Sequence, residues 1–432
     1  MQKIEHTSHA GIKFELNKKL GYYLVGDNIY YNKIQALIDA SKKNLHVRWF
    51  FNEDTFIKYP WHIEPEESLR ELYCRRAQQL RDTYDYIRIE ASGGSDSTTA
   101  VYSFLLNGIH LDEVVFRYPK QGEKDVSNNP YDAHCENTLS EWEFAAKPLL
   151  EWISTNYPAT KITVHDYTDY MLKKMGKQDE SWVFETRHYL QPGHAHKHTH
   201  TGLIDHQRLA DRNYKIGVVY GIDKPIIFIK DSKFFLYFRD SQANHNNPNV
   251  GDYTNITNEF FYWSPDCPKL IAKQAHEVKR WFSLPQNQQM QEVLQWPTTN
   301  FSKRTLYEQI VKHIVYPDYD FHTFQTVKPT NNIYNEMDYW FHRNFKGTEL
   351  YGVWKSGITY LLDTLDPKYV GLVLDRPADI QMFNSVYYYF GESDISSPTT
   401  NALKTKPLIT SQQSDITERK HRFAINGQLI IN

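Results

Sequence analysis

The sequence predicts an α/β chain with a parallel sheet at its centre, and three observations carry that expectation. Between residues 86 and 221, short apolar runs alternate with helix-patterned stretches, the rhythm of parallel strands joined by crossover connections. The segment Ser92-Gly93-Gly94-Ser95-Asp96-Ser97 falls where the first of those runs hands over to a helix. A chain of 432 residues with 40% hydrophobic and 15% aromatic content exceeds one ordinary domain and holds enough apolar surface for one or two large cores. The expected organisation is an N-terminal α+β module (1–85), a Rossmann-like domain (86–284) and an aromatic-rich, mainly helical C-terminal region (285–432).

In the N-terminal module, residues 13–16, 22–25 and 28–31 read as short strands, with Gly26-Asp27 as a turn and 33–40 as a helix. A clearer helix spans 66–81. Pro65 opens it, and Leu69, Leu72, Tyr73, Ala77 and Leu80 form one apolar stripe. Arg70, Arg75, Arg76 and Arg81 occupy its other faces, as a solvated or salt-bridged surface or, more sharply, a phosphate or nucleic-acid contact.

The central domain opens with strand 86–91, the loop 92–97 and helix 98–107. Strand 113–118, a long helix within 132–156, strand 161–167 and strand 215–221 follow. Four strands so separated imply a doubly wound sheet, whose ligands bind beyond the carboxyl ends of the strands near the switch in strand order. The loop lies at such an end. Gly93 and Gly94 are expected to turn with positive φ and to let the backbone approach an anion. Ser92, Ser95 and Ser97 add hydroxyl donors, and the first helical turn adds free N–H groups. An acid among phosphates calls for a cation between them, which makes Asp96 a candidate magnesium contact.

Strand 215–221 delivers Gly221-Ile222-Asp223-Lys224-Pro225 to the same edge. There Gly221 permits close approach, Asp223 can hold magnesium and Lys224 can neutralise phosphate charge; a plain strand-terminating turn is the competing reading. Residues 225–230 and 234–238 around Asp231-Ser232 read as a β-hairpin attached to the sheet. The aromatic run 259–266 reads as a core strand and helix start ahead of an amphipathic helix at 269–282, with a substrate pocket as the alternative. His188, His194, His196, His198, His200 and His206 lie in one loop, read as surplus surface histidines or a metal site.

From residue 283 the composition turns polar, and helices are expected at 303–315, 335–345 and 349–365. An exposed loop at 396–415 and a hairpin at 422–431 turning at Asn426-Gly427 close the chain. The aromatic region reads equally as substrate lid, homo-oligomer surface or packed extension. Net charge is −3, which removes any global electrostatic argument for a nucleic-acid partner. Apolar runs are too short for a membrane span and the first residues lack a signal-peptide core, so no membrane partner and a cytoplasmic location are expected. The three cysteines, Cys74, Cys135 and Cys267, form no C-x-x-C pair and read as reduced thiols.

The loop does not fit G-x-x-x-x-G-K-[ST] or G-x-G-x-x-G. It resembles the S-G-G-x-D-S signature of the PP-loop ATP pyrophosphatases, also called adenine nucleotide α-hydrolase-like proteins, at all five specified positions. The resemblance covers roughly 86–282 as a fold and is motif-specific only at 92–97. It implies a HUP-type sheet with ATP and Mg2+ as cofactors. It also implies pyrophosphate held by Ser92, Gly93, Gly94, Ser95, Asp96 and Ser97, with adenine and ribose near Arg117 and Tyr118. Gly221 would complete the nucleotide site, Asp96 and Asp223 would hold the metal, and Asp96 and Lys224 would serve catalysis. The flanking regions look similar to PP-loop proteins of large tailed bacteriophages.

The G-H-x-x-D-D motif that some members carry is missing, and Gln2 stands where related glutamine-dependent ligases have a nucleophilic cysteine. The resemblance therefore points to a ligase-type enzyme that adenylates a substrate oxygen, with a separate nitrogen or sulfur donor. A tRNA or nucleobase modifier, acting on RNA or a nucleotide instead of another small molecule, and a non-catalytic nucleotide-binding protein remain as alternatives.

Overall fold

The structure, a computed structural model, describes residues 6–7, 13–14, 17–118, 142–166, 168, 172, 180–185, 190, 208–240, 255–294, 301–320, 336–373, 376–393 and 421–431. The first module is a small antiparallel sheet of β1 (Tyr22–Val25), β2 (Asn28–Tyr30) and β3 (Val47–Phe50), with β1 in the centre. Helix α1 (Lys33–Lys43) packs on it. Asn32 caps its start by accepting from the Gln35 N–H, and Asn44 ends it in the left-handed region. Helix α2 (Leu69–Thr83) begins three residues later than its pattern implied, because Ser68 and Glu71 form a reciprocal capping box there and Pro65 stays outside.

The central sheet has five parallel strands: β4 (Tyr86–Glu90), β5 (Glu113–Tyr118), β6 (Lys161–Asp166), β7 (Ile216–Tyr220) and β10 (Ile256–Phe260). Its order is β10-β7-β4-β5-β6. The fifth strand is the aromatic run's own start, and Phe260, Phe261, Tyr262 and Trp263 are all buried, as the core reading expected. Helix α3 (Ser95–Leu105) follows β4, α4 (Lys147–Asn156) precedes β6, and α5 (Pro268–Ser283) follows β10. Strands added outward from β4 run one way through β5 and β6 and the other way through β7 and β10. The order therefore switches between β4 and β7, and the carboxyl ends at such a switch are where sheets of this kind bind ligands.

The hairpin expected on this sheet belongs to a different one. Strands β8 (Ile226–Lys230) and β9 (Lys233–Tyr237) pair around Asp231 and Ser232, both with positive φ, the geometry of a tight two-residue turn. They join β13 (Tyr387–Glu392), β14 (Arg422–Ile425) and β15 (Gln428–Ile431) in a second five-stranded sheet, in that order. The C-terminal region is thus mixed. It supplies helices α6 (Phe301–Val315), α7 (Glu336–Phe345) and α8 (Glu349–Thr364), but also those three strands and the hairpin of β11 (Val370–Val373) with β12 (Arg376–Ile380).

One aromatic core joins these parts. Phe51 beside β3 lies 5.0 Å from Phe238 beside β9, and Phe238 lies 5.1 Å from Trp263 beyond β10, measured between ring centroids. A fully buried ion pair crosses the same junction: Lys33 Nζ sits 2.8 Å from Asp240, which also accepts the Tyr23 hydroxyl at 3.0 Å. The arginines of α2 are salt-bridged, Arg70 to Asp318, Arg75 to Glu67 and Arg81 to Asp112. Arg76 is instead buried against Glu259 and the carbonyls of Phe260 and Phe261. Among the described residues, no helix is long and apolar enough to cross a membrane.

Candidate nucleotide site

The loop 92–97 occupies the carboxyl end of β4, at the switch in strand order. Gly93 has φ +77°, and a Cβ there would lie 2.5 Å from the Ala145 carbonyl carbon and the Ala146 nitrogen. Only glycine fits. Gly94 does not share this conformation: at φ −70°, ψ 162° it is the extended N-cap of α3, which any residue can adopt, so the expectation of positive φ is corrected for that position. The helix starts at Ser95, earlier than its apolar pattern, because Ser95 and Asp96 already have helical backbone.

The serines divide into two roles. Ser97 Oγ accepts from the Ser92 N–H at 3.1 Å and donates to the Gly94 carbonyl at 3.2 Å, while Ser92 Oγ accepts from the Gly94 N–H at 3.3 Å. These two hydroxyls brace the loop instead of presenting themselves to a ligand. Ser95 is different: it is 4% exposed and its hydroxyl has no hydrogen-bond partner among the described residues. No side chain caps α3, and the N–H groups of Ser95, Asp96 and Ser97 meet no acceptor among the described residues. Donors at a helix start that meet no acceptor are the chemical complement of an anion.

The end of β7 closes on this loop. A Cβ on Gly221 would lie 2.7 Å from Ser97 Cα and 2.9 Å from the Asp96 carbonyl, so glycine is what lets the strand end touch the first turn of α3. Lys224, 128 residues from Asp96 in sequence, places Nζ 3.3 Å from Asp96 Oδ1 and 2.7 Å from Asp223 Oδ1. Three tyrosines complete the surroundings. Tyr316 donates to Asp96 Oδ1 at 2.5 Å, Tyr262 to the Asp96 carbonyl at 2.7 Å, and Tyr319 to the Gly93 carbonyl at 3.2 Å.

The two carboxyl groups are driven apart electrostatically. Burial works against ionising Asp96, but the charges of Lys224 and Lys312 and the Tyr316 hydrogen bond outweigh it and hold the group at about 2. Asp223 is pushed up to about 6, by burial first and by the neighbouring Asp96 charge, with Lys224 pulling the other way. Burial disfavours the Lys224 ammonium, yet Asp223 and Asp96 keep it charged well beyond neutral pH. The cluster is one ionised carboxylate, one carboxyl near its titration point and one fixed cation.

A divalent cation fits this donor set in one form only. Among the described residues no group of three or more His, Cys, Asp or Glu side chains could cage a metal. Magnesium commonly takes one or two carboxylates and completes its shell with phosphate oxygens and water, so Asp96 and Asp223 suit an ion that arrives with phosphate.

Of the other expected contacts, Arg117 directs Nε and Nη2 to the two oxygens of Glu90 at 2.8 and 3.0 Å and is 8% exposed, an ion pair at the ends of β4 and β5. Tyr118 ends β5, and its side chain lies outside the described residues, as do the six histidines and Cys135. The contributions of Tyr262, Tyr316 and Lys312 were not legible. Tyr262 sat in a run read as core, and the other two belong to or follow a helix whose pattern specified only that it is a helix.

No protein-family model matches the chain, and a search of curated proteins found no match.

Proposed function

We propose that the chain is an ATP-dependent enzyme of the PP-loop pyrophosphatase type, with a HUP-type central domain, that adenylates a substrate oxygen and releases pyrophosphate. The observation that carries the reading is the meeting, at the switch point of a parallel sheet, of helix-start N–H groups that meet no acceptor among the described residues with the Asp96, Asp223 and Lys224 cluster. The β,γ-phosphates of ATP would lie on the N–H groups of Ser95, Asp96 and Ser97, with the Ser95 hydroxyl as a further donor. Lys224 would neutralise the departing pyrophosphate.

Magnesium, held by Asp96 and Asp223 together with phosphate oxygens, would supply Lewis-acid polarisation of the phosphates. A substrate carboxylate or amide oxygen attacks the α-phosphorus while the bond to the bridging oxygen of pyrophosphate breaks. An amine then attacks the activated carbon, and AMP departs with the bonding electron pair. The nitrogen comes from ammonia, an amino acid or a separate donor. No protein nucleophile is required: positioning and charge neutralisation supply the rate.

The test is product analysis with α-labelled and γ-labelled ATP, screened with magnesium over amino acids, nucleotides and RNA. AMP and pyrophosphate are the expected primary products, and ADP with orthophosphate would reject the mechanism. Absence of nucleotide binding at millimolar ATP would reject the site itself.

A further inference from the structure

A sheet edge left open is a place where another strand can add, and all but one of the edges on the three larger sheets carry a guard. On β8 the Tyr307 hydroxyl accepts the Ile227 N–H at 2.9 Å and donates to the Pro225 carbonyl at 2.7 Å. Asn17 donates to the Asn258 carbonyl of β10 at 2.8 Å, and Arg422 to the Trp49 carbonyl of β3 at 3.2 Å. Strand β6 bears Lys161 and Asp166 at its ends, and β2 is only 3 residues long. The exception is β15, the outermost strand of the second sheet. Its sequence is Gln-Leu-Ile-Ile, without charge or proline. Leu429 is 42% exposed and Ile430 40%, and among the described residues only β14 pairs with this strand.

The hairpin fixes which backbone groups of β15 face outward. Asn426 and Gly427 both have positive φ and Ile425 opposes Gln428, so β14 and β15 are joined by a two-residue turn closed by a hydrogen-bonded pair. Gln428 and Ile430 therefore turn their N–H and C=O groups inward to β14, and Leu429 and Ile431 turn theirs outward. We infer that β15 is a homodimer surface, pairing antiparallel with the same strand of a second copy about a two-fold axis at Ile430. That register is self-complementary. Leu429 opposes Ile431 of the partner subunit, so outward N–H groups meet outward C=O groups, and the two copies of Ile430 face each other in the closer, non-hydrogen-bonded pair. A two-fold at Leu429 sets Ile431 against Gly427 in the turn and loses part of that match. Charge favours a second copy over a foreign strand: the one charged residue facing β15 across the ladder, Arg422, is already ion-paired with Glu53, so self-pairing opposes no like charges and a charged peptide finds no counter-ion. Ile430 lies opposite Phe423 and Leu429 opposite Ala424, so pairing covers apolar side chains on both faces of the sheet. A strand of 4 residues supplies less than the ~800 Å² per partner of a standard interface, which makes the dimer a weak one. This surface is independent of the nucleotide reading.

The test uses the full chain. Sedimentation velocity between ~1 and ~200 µM is expected to show a reversible monomer–dimer equilibrium with a dissociation constant on the order of 10 µM. Ile430→Lys sets two ammonium groups face to face at the axis and is expected to raise that constant at least ~10-fold with circular dichroism unchanged. Ile430→Cys is expected to form a disulfide-linked dimer under mild oxidation. Leu429→Cys, whose two copies stand about 8 Å apart in this register, is expected to stay at the wild-type background. A wild-type chain that remains monomeric at ~200 µM overturns the inference, as does a dimer that Ile430→Lys leaves intact. Should the lysine variant not fold, the two cysteine variants decide: crosslinking through Leu429→Cys in preference to Ile430→Cys, or through neither, overturns the pairing.

Discussion

Two clusters of buried charge sit on the same parallel sheet and are built on different principles. On β4, β5 and β6, Glu90 receives Arg117 and, at 2.7 Å, Arg88, while Glu113 accepts the hydroxyls of Tyr86 and Thr163. Burial resists charge on Glu90, but Arg117 and Arg88 outweigh it and hold the carboxyl at about 2. His165 nearby is pushed down to about 4, by burial and then by the same arginines, so it stays neutral at neutral pH. In this cluster the charges answer one another within the sheet. At the junction of β4 and β7 they do not: Asp96 and Asp223 move in opposite directions, one lysine serves both, and the adjacent N–H donors meet no acceptor among the described residues. Mutual pairing marks a structural network, and unmet donors beside split carboxyl groups mark a place prepared for a ligand.

The largest expected effect comes from breaking the second cluster. Asp96→Ala should reduce magnesium-dependent ATP turnover by at least ~10³-fold while circular dichroism keeps the wild-type signature of a folded chain. Turnover that survives the change would equate the two clusters and dissolve the contrast. Glu90→Gln tests the first cluster in reverse. Removing the negative charge that Arg88 and Arg117 share at Glu90 should lower stability by about 3–5 kcal/mol in urea unfolding and leave pyrophosphate affinity unaltered.

The two glycines of the loop sharpen the comparison further. Gly93→Ala meets both a left-handed backbone and the Ala145–Ala146 main chain, and should lose about 2–4 kcal/mol of stability. Gly94→Ala carries no such backbone strain, so its melting temperature should stay close to wild type. Equal losses for the two would contradict the loop geometry.

The smallest effect is a pH slope. The folded pKa of Asp223 is raised above its ordinary 3.8, so between about 4 and about 6 the folded chain keeps a proton that the unfolded chain has released. Stability contributed by this group therefore falls as pH rises through that window, by on the order of 3 kcal/mol. Asp96 acts with the opposite sign and lower down, its contribution being lost as pH falls from 3.8 towards about 2. Asp223→Asn should flatten the slope between pH 4 and 6 in unfolding curves taken across that range. A slope identical to wild type would show that another group carries it.

Much of this arrangement was legible beforehand. Gly93, the helix after it, strands 86–90 and 216–220, and Gly221 with Asp223 and Lys224 at one edge all followed from turn chemistry, apolar periodicity and the rule that parallel strand ends gather together. Gly94 was misread because a glycine's identity permits positive φ without requiring it. The position of Arg117 at a strand end is visible in the sequence, while its pairing with Glu90, one strand over, depends on register.

What the sequence determined by itself is local: which segments are strands or helices, where the chain must turn, and which chemistry arrives at the end of β4 and β7. Tertiary structure alone decided that the 226–237 hairpin pairs with Tyr387–Glu392 in a second sheet, and that Tyr316, 220 residues from Asp96, donates to its carboxylate. Periodicity specifies a buried face without naming what will cover it. The covering partner is chosen by strand order, register and the shape of the shared core, and those are set only when distant segments compete for the same surface.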